Sequence, residues 1–254
     1  DPRFTIYPSY NLDTHLTINT KDPSLPWYDK RVRQAMEYAL DKDTMNQVFG
    51  KGYTKILYSV LGRSPEHPSV PDRKYDPAKA KELLTEAGYP NGFKTAMIRH
   101  QGYPQDVCVA IQGYYGELGI DMSIAVNTRA AFQQWRFVGH PTDIIWQPMA
   151  DQTDPLYAAT RAFGRGVKGD GDNSYIARPS GFVDLIEQAK ITRDVARMKE
   201  LLMQASTIAY EDAMMIPLWT RRSINQVNTA RVQDLQVNIN NTNTWDYSKA
   251  WIKD

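Results

Sequence analysis

An alternation of strand-like and helix-like segments between residues 93 and 146 constrains the fold most. Residues 93–99 predict a strand, and residues 105–118 predict a helix because their apolar side chains recur at helical spacing. Apolar and polar residues then alternate over 120–126, which predicts a second strand, and 143–146 predicts a third. This order predicts an α/β fold, in which helices flank a mixed sheet with at least partly parallel pairing.

Two helices are predicted within residues 26–50. Asp29 can cap the first helix, and its apolar stripe consists of Val32, Ala35, Met36, Ala39 and Leu40. The opposite face is polar and is expected to meet water; it carries Lys30, Arg33, Gln34 and Glu37. Asp43 is expected to cap the second, shorter helix, which turns Met45, Val48 and Phe49 inward and ends at Gly50. Further capping residues are predicted at Asp76, Thr128, Ser180 and Asp194.

Composition excludes several classes of partner. The chain has 254 residues, of which 42% are hydrophobic and 23% charged, enough for one large domain or two smaller ones. A formal net charge of +1 argues against nucleic acid or an anionic membrane as the main partner. We expect no transmembrane helix, because no run of 18 apolar residues occurs, and the start shows no signal-peptide pattern. A mature or trimmed chain would look the same.

No local motif predicts a metal, a cofactor or a catalytic nucleophile. The histidines His15, His67, His100 and His140 lie far apart in sequence and lack ligand spacing. Residues 164–169 match GxGxxG, but neither a preceding strand nor a following helix is predicted there, so we interpret them as a loop. The single cysteine, Cys108, lies in a helical pattern and is predicted to be a small buried side chain.

Two acids follow the predicted strand that ends at Trp146. Ligands of open α/β sheets bind outside the carboxyl ends of the strands, where an acid can meet an amine through a charge-assisted hydrogen bond. For Asp151 this role and a purely structural one are equally open. Asp154 precedes Pro155 and is interpreted as a turn or helix cap. Trp146 either packs in the core or stacks on a ligand.

Several ordered motifs resemble one protein family. The segments WYDKRVRQA at 27–35, ALDK at 39–42, YDPAKAKELL at 75–84 and EAGYPNGF at 86–93 are similar to signatures of family 5 solute-binding proteins. These are the peptide/nickel-type receptors of ABC importers. Asp151, Asp154-Pro155, Asn173-Ser174-Tyr175 and the IPLW segment at 216–219 follow in the family's order.

The resemblance implies the second lobe of a two-lobed, type II periplasmic-binding-protein-like fold, with remnants of the first lobe at both ends. Residues 1–25 would be a hinge or first-lobe strand, 26–222 the second ligand-binding lobe, and 223–254 the segment that returns to the hinge. The ligand would be a small peptide-like or amine-bearing solute held between two lobes. The implied partner is an ABC permease, and the implied location is periplasmic or lipid-anchored extracytoplasmic. The face left by the first lobe could allow self-association.

The resemblance also implies the ligand contacts. In peptide-binding members, an acid matching Asp151 receives the ligand's α-amino group. The backbone just before it, here Gln147 and Met149 with Trp146 close by, pairs with the extended ligand. Pro148 departs from this pattern because it has no N–H to donate.

Three alternatives remain open at this point. The chain could be an enzyme with Asp151 and Asp154 as acid and base. It could bind a non-peptide solute such as an oligosaccharide or a metal chelate. It could also be a module that binds only another protein.

Overall fold

A six-stranded sheet organises the structure, a computed structural model that describes residues 1–52, 54–61, 73–150, 155–165, 173–236 and 246–253. Its strands, in spatial order, are Thr54–Ile56 (β2), Ile216–Asn228 (β6), Phe4–Thr17 (β1), Ile144–Ala150 (β5), Lys94–His100 (β3) and Asp121–Asn127 (β4). β1 is antiparallel to both β5 and β6, whereas β3 is parallel to both β4 and β5. The predicted mixed α/β sheet is therefore confirmed.

Helices cover both faces of this sheet. They are Lys30–Tyr38 (α1), Lys42–Met45 (α2), Pro77–Glu86 (α3), Gln105–Gly116 (α4), Arg129–Val138 (α5), Pro155–Phe163 (α6), Phe182–Ile191 (α7) and Val195–Glu211 (α8). Apolar side chains of α1, α3 and α4 share one core, and those of α6, α7 and α8 share a second. A small antiparallel pair, Val232–Gln233 (β7) and Trp251–Ile252 (β8), follows. In the described ranges, no helix has the length and apolar character needed to cross a bilayer.

Local capping rules place most helix starts correctly. The side chains of Asp29, Asp76, Thr128 and Asp194 accept hydrogen bonds from backbone N–H groups in the first turns of α1, α3, α5 and α8. Two capping predictions are wrong. Gly181, not Ser180, is the N-cap of α7, and it has no side chain to accept a hydrogen bond. Asp43 does not cap α2. Asp41 caps α2 instead, because its carboxylate accepts from the Thr44 backbone N–H at 2.9 Å.

The polar face of α1 meets water only in part: Lys30 is exposed as predicted and Gln34 is half-buried, but the other two residues are not exposed. Arg33 and Glu37 are 3% and 1% exposed. Glu37 binds Lys42 Nζ at 2.8 Å through one oxygen and Arg73 Nη1 at 2.7 Å through the other. Arg33 donates to the Asp212 carboxylate at 2.7 Å and to the Trp27 carbonyl at 2.7 Å. Arg73 and Asp212 come from distant segments, so the local pattern of α1 could not reveal that these charges are paired and buried.

β1 and β6 extend beyond the rest of the sheet. Residues 4–10 of β1 pair with residues 222–228 of β6, whereas β5 pairs with β1 only over 12–17. The far ends of β1 and β6 therefore form a two-stranded ribbon, and their near ends lie in the main sheet. β6 crosses the predicted boundary at 222, whereas β1 ends before the one at 25, and that division stays a prediction.

His15 is a buried titratable side chain near the C-terminal end of β1. It is 1% exposed and lies opposite Gln147 of β5 and Pro217 of β6. Burial lowers its pKa to about 4, opposed by the Ser59 backbone and reinforced by the positive charge of Lys42. Neither ring nitrogen has a hydrogen bond of good geometry, so the Ser59 contact is weak.

We predict that Glu37→Gln destabilises the fold strongly. The change leaves Lys42 and Arg73 buried without their shared counter-charge, and breaking a buried ion pair costs roughly 3–5 kcal/mol of unfolding free energy. Denaturant unfolding followed by circular dichroism measures the change. Glu82→Gln is the matched control, because it breaks an exposed ion pair with Lys79 on α3 and should change stability little. Equal effects of the two variants would contradict the structural role given to Glu37.

We also predict that His15 makes the fold sensitive to acid. The unfolded chain takes up this proton near the ordinary pKa of 6.5, whereas the folded chain resists it down to about 4. The stability contributed by neutral His15 is complete above pH 6.5 and falls by roughly 3 kcal/mol as the pH drops to 4. His15→Phe should flatten the dependence of unfolding free energy on pH over this range. An unchanged slope would show that His15 does not titrate as described.

Candidate functional site

The structure places three of the four predicted ligand-binding residues on β5. Trp146, Gln147 and Met149 lie opposite Leu16, His15 and Asp13 of β1. Asp151, the fourth, and Asp154 lie outside the described residues. The site can therefore be built around β5, while the role of Asp151 stays a prediction.

A cleft of about 310 Å³ lies against the sheet beside Trp146. Its wall is mainly aromatic and apolar, formed by Val48, Phe49, Tyr103, Pro104, Val107, Trp146 and Trp219. Its polar lining consists of Thr14, Lys51, Thr54 and Asp106. An apolar cleft with a few polar groups is the usual form of a small-molecule site.

Trp146 and Trp219 project from β5 and β6, and the start of α4 forms the wall beside them. The ring of Tyr103 lies 5.4 Å from that of Trp146, tilted by 60°. Arg99, at the end of β3, fixes this turn because its Nη1 donates to the Tyr103 carbonyl at 2.7 Å. The cleft thus lies where β3 ends and α4 begins, as expected for an α/β sheet.

The remaining wall comes from a segment whose role the sequence did not reveal. A π-helical turn, Asn46–Gly50, follows α2, and Val48 is 55% exposed at the cleft instead of turning inward as predicted. Gly50 does not supply the left-handed backbone conformation that ends this turn, since Lys51 has φ +46°. Glycine at 50 leaves room for the side chains of Thr54 on β2 and of Asn46, which a Cβ there would displace. A π-helical turn leaves no clear periodic signal in the sequence.

The side chain of Gln147 serves a different purpose from that of Trp146. It is 1% exposed and belongs to a buried polar network outside the cleft lining. Its Oε1 lies 3.0 Å from the hydroxyl of Tyr175 and 3.3 Å from that of Thr17. Asn173 Oδ1 completes the network at 3.5 Å from Gln147 Nε2. These hydrogen bonds connect β5 to β1 and to the segment before α7. They therefore determine which face of β5 lies against the cleft.

One edge of β5 is open. β3 pairs with β5 only at Ile144 and Ile145, whereas β1 pairs along 145–150. Among the described residues, no strand pairs with the other edge of β5 beyond Ile145. This edge presents backbone groups that an added strand could bind.

Successive residues of β5 direct their backbone N–H and C=O groups to opposite edges of the strand, and this decides which of them face the open edge. Thr17 Oγ1 contacts the Ile145 carbonyl at 3.4 Å, so that carbonyl points toward β1. The regular register then turns the backbone groups of Gln147 and Met149 toward β1 as well. The carbonyl of Pro148 and both backbone groups of Ala150 face the open edge. Pro148 fits this arrangement, because proline is tolerated where no ladder partner needs its N–H.

Charge in the cleft is balanced and unpaired. Lys51 and Asp106 carry opposite charges, and in the described ranges neither forms an ion pair. Within the described part of the chain, the one hydrogen bond to the Asp106 carboxylate is local and comes from the Val107 backbone at 3.1 Å. Both charges therefore stay available to a bound molecule.

Among the described residues, the thiol nearest the cleft is not an activated nucleophile. Cys108, behind the wall, is fully buried as predicted, and burial raises the pKa of its thiol to about 11. It is therefore protonated at neutral pH. Within the part of the chain that the structure describes, no three His, Cys, Asp or Glu side chains are grouped to hold a metal ion.

Similar proteins bind solutes. Heme-binding protein A of Haemophilus influenzae is 28% identical over 86% of this chain and 41% of its own length. The glutathione-binding protein GsiB of Pectobacterium atrosepticum is 27% identical over 83% of this chain and 43% of its own. The periplasmic binding protein DppA of Helicobacter pylori, solved with the peptide STSA, matches the whole chain with a TM-score of 0.83 at 24% identity.

The match covers only part of each relative. This chain spans about two fifths of the two curated relatives and 50% of the DppA chain. The shared fold is that of type II periplasmic binding proteins. The sequence model described as "Bacterial extracellular solute-binding proteins, family 5 Middle" matches residues 4–170, more than half of the chain. The chain therefore belongs to the family 5 bacterial extracellular solute-binding proteins.

Proposed function

We propose that this chain is the ligand-binding lobe of the substrate-binding component of an ABC importer. It captures a small peptide-like or amine-bearing solute and delivers it to a membrane permease. The observation that supports this most is the open edge of β5 beside an aromatic cleft. An extended peptide can add to such an edge through its backbone and place a side chain in the neighbouring cleft.

The open edge supports a specific mode of backbone pairing. The ligand accepts from the N–H of Ala150 and donates to the carbonyls of Pro148 and Ala150. The family resemblance implies Gln147 and Met149 instead, and that stays a prediction; the contact of Thr17 with the Ile145 carbonyl supports the neighbouring residues proposed here. Asp151 follows the strand directly and receives the ligand's amino group.

Closure of two lobes holds the solute in place. We place the hinge to a first lobe in the ribbon of residues 4–10 and 222–228, and the length of the DppA chain, about twice that of this one, leaves room for such a lobe. Hinges of this kind move domains around a bound ligand. The lobe alone binds more weakly, since half of the contacts are missing.

Delivery requires an extracytoplasmic receptor and a permease. We place the protein in the periplasm or on a lipid anchor outside the cytoplasm, in keeping with its family. Apolar side chains near the ribbon, among them Ile6 at 50% and Trp251 at 50% exposure, offer a face for the first lobe. The same face can pair two copies when that lobe is missing.

We predict that the full-length protein is stabilised by di- or tripeptides with a free amino group. Asp151→Asn should weaken their binding roughly tenfold to a hundredfold, the usual worth of a hydrogen bond to a charged group. N-acetylated peptides should bind the wild type weakly and lose little further affinity in the variant. Calorimetry and thermal shift measure both effects.

Asp121→Asn is the matched control, because Asp121 begins β4 and makes only an exposed ion pair with Lys94. Sugars and nickel chelates complete the ligand panel. Stabilisation by a sugar or chelate with none from peptides would overturn the peptide assignment. Turnover of a bound peptide that disappears in Asp151→Asn would favour the enzyme alternative.

A further inference from the structure

The cleft extends across one face of the sheet. Four neighbouring strands, β2, β6, β1 and β5, contribute to its lining through Thr54, Trp219, Thr14 and Trp146. Neighbouring strands lie about 4.8 Å apart, so β2 and β5 are separated by roughly 14 Å. A ligand segment that fills the cleft therefore runs from the β5 side to the β2 side.

The two ends of the cleft carry opposite charges. Lys51 lies three residues before Thr54 of β2, whereas Asp106 lies in the first turn of α4, which follows β3 on the other side of β5. Lys51 and Asp106 are both exposed, and neither forms an ion pair within the described ranges. An anionic group of a ligand is therefore attracted to the β2 end and repelled from the α4 end.

Lys51 is distinct from the other polar residues at its end of the cleft. Thr14 Oγ1 donates to the Trp219 carbonyl at 2.7 Å, so this hydroxyl already has an acceptor. Thr54 Oγ1 donates to Asn46 Oδ1. The backbone of Lys51 lies in the left-handed region at φ +46°, where glycine is the residue that avoids a steric cost. Backbone preference therefore does not account for lysine at this position, whereas a ligand contact does.

We propose that Lys51 binds a carboxylate of the ligand at the β2 end of the cleft and so determines specificity for ligands that carry one. The ammonium group donates charge-assisted hydrogen bonds to the carboxylate oxygens. The apolar part of the ligand beside the carboxylate packs on Phe49 and Trp219. The free C-terminus of a peptide and an acidic side chain both supply this chemistry. The assignment rests on the function proposed above and names the class of ligand.

Matched peptides test the contact in the full-length protein. Tri- and tetrapeptides such as Ala-Phe-Ala are compared as the free acid and as the C-terminal amide. An extended residue spans about 3.4 Å, so a dipeptide covers only about half of the distance between β5 and β2. In calorimetry the free acid should bind roughly tenfold more tightly, the lower end of the usual effect of a hydrogen bond to a charged group. Lys51→Gln should reduce this preference to twofold or less, and Lys51→Glu should reverse it.

A second pair of peptides distinguishes the source of the carboxylate. Ala-Glu-Ala amide and Ala-Gln-Ala amide differ only in an acidic side chain. A preference for the glutamyl form that disappears in Lys51→Gln assigns the carboxylate to a ligand side chain. A preference confined to the free acids assigns it to the C-terminus. Either result supports the contact.

Lys55→Gln is the matched control. Lys55 lies on β2, is exposed and carries the same charge, but it does not line the cleft. The variant should leave both preferences unchanged. If Lys55→Gln abolished them as fully as Lys51→Gln does, the effect would belong to the general charge of this surface and the contact would be overturned.

The remaining outcomes separate the two proposals. Equal affinity for the acidic and neutral forms in both comparisons overturns the assignment of Lys51 and leaves the receptor function standing. A preference for the acidic form that persists in Lys51→Gln also overturns the assignment. Absence of binding by every peptide overturns the receptor proposal itself, and the Lys51 contact with it.

Discussion

The pairing of β1 with both β5 and β6 is the constraint on which the rest of the structure depends. β1 lies near the start of the chain and β6 near its end, and they meet in one sheet along most of their length. β1 also determines which backbone groups of β5 face each edge of that strand, because β1 pairs with one edge of β5 over 145–150. The open edge, the inward side of Gln147 and the cleft side of Trp146 all follow from this register.

A second constraint is the burial of charge around α1. Glu37 holds Lys42 and Arg73, while Arg33 holds the end of α8 through Asp212. Buried ion pairs contribute little net stability but are costly to break, so they specify one arrangement of the helices. The ring of Tyr210 stacks under the Arg73 guanidinium at 3.8 Å, which fastens the segment after residue 72 to α8. This arrangement holds the helices behind the cleft wall.

The sequence predicted features that depend on local rules. The strand and helix alternation between 93 and 146, and the caps at Asp29 and Asp76, follow from spacing and side-chain chemistry along one segment. Motif resemblance identified the family and directed attention to β5. The open edge of β5 depends on which strands pair across the sheet, and no local pattern carries that information.

What the sequence missed depends on contacts between distant segments or on subtle backbone changes. Arg33 and Glu37 looked solvent-exposed because their partners lie elsewhere in the chain. Val48 reached the cleft through a π-helical turn that periodicity does not signal. The position of Lys51 at one end of the cleft is visible only once the order of the strands is known. Asp151 stays a prediction from the family pattern.

Amide hydrogen exchange in β5, resolved to single residues with and without a saturating ligand, tests the central claim most directly. The account predicts that the Ala150 amide, which faces the open edge, exchanges more slowly once the ligand is bound. The Gln147 and Met149 amides already belong to the ladder with β1 and should change little. Protection that appears at Gln147 and Met149 while Ala150 is unaffected would contradict the account.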